Sequence, residues 1–60
     1  MKIAEYKGVS IYADMVELGK IIGSFKTDIT AYELYYGASF QEVFEECKLW
    51  IDIMDRRGEL

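Results

Sequence analysis

Val9, Ile11 and Ala13 alternate with Ser10, Tyr12 and Asp14, the two-residue period of a strand with one buried face. The whole run over residues 2–14 is rich in Ile, Val and Tyr and predicts extended structure. Gly8 within it marks a bulge, bend or tight turn. The pattern breaks at Val16-Glu17-Leu18-Gly19, where Gly19 can supply the positive φ of a turn. Residues 20–26 predict a second strand, and Thr27-Asp28 a turn. Residues 29–36 read two ways. Ile29, Thr30, Tyr32, Tyr35 and Tyr36 favour a third strand, whereas Asp28 as a cap and Gly37 as a stop would suit a short helix; the strand is preferred.

From Phe40 onward the period changes. Phe40, Val43, Phe44, Cys47, Trp50, Ile51 and Met54 recur at three- and four-residue spacing, which places all seven on one face of an amphipathic helix. Ser39 and Glu42 match the capping box that opens a helix. Arg56 and Arg57 suit its negative end, and Gly58 suits the position just past it. The prediction is a helix over about residues 40–57. Together these elements predict an α+β fold in a single small domain over residues 1–60: a small antiparallel sheet of two or three strands packed against one long C-terminal helix. The expected core is Ile3, Val9, Ile11, Ile21, Phe25, Leu34, Phe40, Val43, Phe44, Cys47, Trp50, Ile51 and Met54.

Length and composition narrow the function. Sixty residues make one domain, and a chain this short buries only about 60% of the surface it exposes when unfolded. Hydrophobic residues make up 52% and aromatics 15%, too many for intrinsic disorder. No apolar run approaches the roughly 20 residues of a membrane span, so no membrane association is expected. One cysteine, Cys47, cannot close an internal disulfide, which points to a cytoplasmic setting. The net charge is -4, and its distribution is uneven. Residues 1–32 are neutral, with four acids and four bases. Residues 33–60 carry seven acids against three bases and hold the entire excess.

The chain offers little catalytic chemistry. It contains no histidine, so a nucleophile has no imidazole base to activate it and a metal has no imidazole ligand. Cys47 lies mid-stripe on the apolar helix face, where a free thiol behaves as a small buried hydrophobe. Glu42, Glu45 and Glu46 can place two carboxylates on one helix face, but no histidine or cysteine completes a ligand set. Gly19 and Gly23 stand singly among apolar residues and form no phosphate loop. A non-enzymatic protein is expected, with no catalytic residue, cofactor or metal.

The feature that stands out is an apolar pair off the core stripe. Leu49 and Ile53 are neighbours on the helix surface and project away from Phe40, Phe44 and Ile51, among charged residues and with Trp50 at the border. Two readings stand side by side: incidental exposure or cover by a loop, and a protein interface of Leu49, Ile53, Trp50 and Arg57 whose partner choice is tuned by Glu42, Glu45 and Glu46. The partner is another protein or a second copy of the chain, a homodimer. The five tyrosines, Tyr6, Tyr12, Tyr32, Tyr35 and Tyr36, supply contact area suited to binding, although a half-buried strand position with the hydroxyl in water is the preferred reading of each. Residues 33–43 also have the outline of a helix-turn-helix, with Gly37 at the turn. Against direct nucleic-acid binding, the would-be recognition helix carries Glu42, Glu45 and Glu46 where phosphate contacts require bases.

Two stretches, Tyr6-Lys7-Gly8-Val9-Ser10-Ile11-Tyr12 and Ser39-Phe40-Gln41-Glu42-Val43 leading to Trp50-Ile51-Asp52, resemble a layout found among small sheet-plus-helix accessory proteins of phages and prophages. The resemblance covers about a third of the chain. It implies a compact module, in the host cytoplasm, that acts by binding host machinery. Alternatives are a helix-turn-helix-like DNA-binding regulator and an acidic inhibitor that imitates nucleic acid.

Overall fold

The computed structural model describes residues 1–27 and 33–60, with Glu33 and Leu34 described by their backbone alone. Its elements are β1 (Lys2–Tyr6), β2 (Val9–Glu17), β3 (Lys20–Phe25), β4 (Glu33–Gly37) and α1 (Phe40–Arg56). The strands form one antiparallel meander in the order β1-β2-β3-β4. The α+β class stands, with four strands in place of two or three. The expected first strand over 2–14 is a hairpin: Lys7 (φ 51) and Gly8 (φ 79) form a two-residue turn between Tyr6 and Val9. Positive φ at both positions gives a turn whose twist matches that of the flanking strands, and lysine is an unusual residue to hold the first of them. The strand expected over 29–36 is seen as β4 over 33–37; the rest of that expectation, including Ile29, Thr30 and Tyr32, lies outside the described residues.

Strand alternation sends Val9, Ile11 and Ala13 of β2 and Ile21, Gly23 and Phe25 of β3 to one face, and all six are buried. α1 packs on this face through Val43, Cys47, Ile51 and Met54. The closest approach uses missing side chains. A Cβ on Gly23 would lie 2.7 Å from Val43 Cβ, and one on Gly37 would lie 3.2 Å from Val43 Cγ1. Two adjacent strands thus form a trough into which Val43 settles.

The helix ends are closed as the sequence predicts. Ser39 Oγ accepts from the Glu42 amide at 3.2 Å, while the Glu42 carboxylate accepts from the Ala38 amide at 3.0 Å, one residue earlier than an ideal capping box. At the other end Gly58 has φ 72. The Gly58 amide donates to the Asp55 carbonyl and the Glu59 amide to the Met54 carbonyl, a Schellman closure.

The expected core needs three corrections. Phe40 and Trp50 are each 38% exposed, because the helix stripe is wider than the trough it packs into. Phe40, in the first turn, lines a surface groove with Ile3 and Ala4. Trp50 lies on the β4 flank against Tyr35. Ala13 was not expected in the core and is buried. Ile3 and Phe44 are half-buried around the core, and the Leu34 side chain lies outside the described residues.

Candidate functional site

The surface of α1 that turns from the sheet toward the β4 edge carries most of the residues singled out in the sequence. Leu49 is 51% exposed and Tyr36, on β4, is 63% exposed. Together with Gln41, Glu42, Glu45 and Glu46 they line a shallow groove of about 540 Å³ between strand edge and helix. Leu49 therefore sits among three carboxylates, and the opposite wall is the β4 edge at Tyr36, which pairs with Ile22 on the sheet face turned from the helix.

These side chains are tied in place by neighbours one helical turn away. Gln41 donates to Glu45 at 2.8 Å, and the Trp50 indole donates to Glu46 at 3.1 Å. Trp50 also stacks on Tyr35 (6.2 Å, 10°), which stacks in turn on the buried Phe25 (6.1 Å, 16°). Both separations lie in the favourable range for aromatic pairs. The rings form a ladder from the core to the groove's edge, and this fixes the direction of the indole. Lys20 reaches over the Tyr36 ring at 5.4 Å.

Of the residues expected at an interface, Leu49, Glu42, Glu45 and Glu46 come together in this groove, and Trp50 borders it through Glu46. Ile53 is half-buried and does not line it. Arg57 lies past the helix end, with its guanidinium 3.9 Å from Glu59. Tyr36 and Gln41 are the additions. Tyr36 could not be placed without the β3–β4 register, in which it pairs with Ile22. That same strand removes the helix-turn-helix reading: residues 33–37, its supposed first helix, are β4.

Comparison with known families, with curated proteins and with solved structures finds no match.

A second charged cluster lies at the other end of the helix. Lys7 Nζ is 2.8 Å from Asp52 and 2.9 Å from Asp55, and the Tyr6 hydroxyl donates to Asp52 at 2.9 Å. The Lys7 hydrogen bond, followed by that of Tyr6, holds the Asp52 carboxyl below its usual range. Asp52 and then Asp55 raise Lys7, and Asp52 raises Tyr6. Each group satisfies another, so the cluster works as a clamp between the strained Lys7-Gly8 turn and the helix. Lys48 lies over the rings of Phe44 (5.1 Å) and Tyr6 (5.5 Å) on the same flank.

Cys47 is fully buried, and desolvation, aided by the Glu46 charge, pushes its thiol up to about 11. A thiol so protonated and enclosed is a poor nucleophile. Among the described residues no group of acidic, cysteine or histidine side chains is arranged to hold a metal ion. Among the described residues no helix is long and apolar enough to cross a membrane.

Proposed function

We propose that the protein is a non-enzymatic binding module whose groove along α1 takes a basic segment of another protein. The observation that carries this is the exposure of Leu49 within a border formed by Glu42, Glu45 and Glu46, beside the β4 edge at Tyr36. An apolar centre with a charged rim is the anatomy of protein interfaces, and the sign of the rim selects a partner rich in lysine or arginine. The rigid Trp50, stacked and hydrogen-bonded, adds a residue type enriched at binding hot spots. The likeness to small phage and prophage proteins supports a partner in host machinery, in the cytoplasm.

A second reading follows from the same charge. With the whole excess of −4 in residues 33–60, α1 could occupy a groove that normally holds nucleic acid, as an acidic inhibitor. Adding duplex DNA to the complex separates the two: displacement supports the inhibitor, and an unaffected complex supports the simple module.

The primary test is capture of partners by the wild type, by Leu49→Asp and by Glu45→Lys/Glu46→Lys, with circular dichroism as the fold control. Basic proteins retained by the wild type and lost by both folded variants would support the groove. Equal retention by all three would refute it. Duplex DNA titrated at low salt should show no binding, since the helix has the wrong sign for phosphate.

A further inference from the structure

β2 outruns its neighbour. Its pairing with β1 ends at Tyr12, opposite Lys2, and a last backbone bond joins the Ala13 amide to the Met1 carbonyl at 2.8 Å. β2 continues to Glu17 and returns through Leu18-Gly19 into β3, so a hairpin arm extends past the end of β1. The long axis of the molecule, 36 Å against 16 and 15 Å, fits this projection. The arm exposes large apolar side chains among its charges: Leu18 is 96% exposed and Met15 and Val16 are each more than half exposed, beside the exposed Asp14, Glu17 and Lys20.

At the base of the arm lies a groove of about 240 Å³ lined by Ile3, Ala4, Phe40, Gln41 and Phe44. From Ala13 to Leu18 is five residue steps, roughly 17 Å at about 3.3–3.4 Å per residue. A twofold axis passing the arm near Met15 and Val16 lies about halfway along that length, so it brings each tip to the other molecule's arm base. Charge favours the same occupant. The arm and its base pair their charges within the chain: Lys2 with Glu5 at 3.2 Å, Glu17 with Lys20 at 3.9 Å, and Asp14 with the Met1 ammonium at 2.8 Å. Two copies meeting here bring together neutral surfaces, whereas two copies meeting through α1 would oppose their acidic faces.

We propose that two copies of the chain exchange their β2–β3 arms, with Leu18 of each seated in the groove beside Ile3 and Phe40 of the other. The contact is made by side chains more than by an added strand ladder. Val16 is the extra residue of a bulge between the Met15–Ile21 and Glu17–Lys20 pairs, and bulges blunt an edge against continuous pairing. The two grooves share Gln41 but no other lining residue, so Leu49 and the three glutamates of the α1 groove stay outside this contact.

Sedimentation equilibrium over a wide concentration range tests this together with cysteine pairing. The wild type should approach twice the 7.0 kDa chain mass, and Leu18→Lys, at a site that touches almost nothing, should return it to 7.0 kDa with an unchanged circular dichroism spectrum. Under mild oxidation Met15→Cys should form a covalent dimer and Leu49→Cys should not; the enclosed Cys47 does not compete. A 7.0 kDa wild type at every concentration would overturn the proposal. So would a Leu18→Lys variant that stays dimeric, or efficient pairing through Leu49→Cys. Leu18-dependent binding of a monomeric wild type to phospholipid vesicles would give the arm to a lipid surface instead.

Discussion

Gly23 lies directly beneath Val43, so close that a Cβ at position 23 would stand 2.7 Å from the valine Cβ. The obstacle is a branched side chain anchored in a helix, not the end of a flexible one. Gly23→Ala is therefore expected to lower stability by about 1–3 kcal/mol, the usual cost of overpacking, measured by denaturant unfolding. Adding Val43→Ala to that variant should recover part of the loss, because the two substitutions share one space. Strictly additive costs would show that the trough does not set the helix–sheet distance.

The clamp of Lys7 on Asp52 and Asp55 predicts how stability changes with pH. The Asp52 carboxyl is held below its usual range in the folded state. Its contribution is thus present above its unfolded value, about 3.9, and is lost as pH falls through the folded value. Lys7 is shifted upward from 10.5, so its contribution is complete below that pH and is lost as pH rises through the folded value. Thermal melts from acid to alkaline pH should show a plateau with both edges falling. Asp52→Asn should flatten the acid edge relative to the wild type; an acid edge of unchanged slope would remove the clamp from the account.

Cys47 gives a probe of opening. Its thiol is enclosed and shifted up to about 11, so an aromatic disulfide reagent near pH 8 should react slowly with the native protein and rapidly in denaturant. The logarithm of the native rate should rise in Gly23→Ala in proportion to the loss of stability, as expected when reaction passes through transient opening. A fast rate in the native wild type would place the thiol at the surface.

The elements that could be read from the sequence are those whose signal is local. The helix was legible because a stripe, a capping serine and a terminal glycine all agree between Ser39 and Gly58. The strands were legible as extended chain, but the hairpin at Lys7-Gly8 was not, since lysine is unusual at positive φ and the groups that hold its ammonium, Asp52 and Asp55, lie far along the sequence. Core membership failed at Phe40 and Trp50 because periodicity gives a direction from the helix axis and not the width of the surface it meets. The groove was half visible: Leu49 and the three glutamates share a helix, whereas Tyr36 joins them only through the sheet register. The arm was hidden for a similar reason. Leu18 reads as one more apolar residue until β1 is seen to stop short of it.

The acidic border of the α1 groove predicts a kinetic signature for the partner it captures. Rim charges act mainly by steering encounter, so they alter association more than dissociation. Glu45→Gln/Glu46→Gln keeps an acceptor for Gln41 and for the Trp50 indole while removing two charges, leaving the aromatic ladder in place. The association rate measured at low salt should fall on the order of tenfold, and the gap from wild type should close as salt screens the remaining attraction. Leu49→Asp should act differently, raising the dissociation rate through the loss of the apolar centre and leaving a salt dependence governed by the same glutamates. If the double glutamine variant changes dissociation alone, with no salt-dependent effect on association, the groove's acidic rim does not select a basic partner.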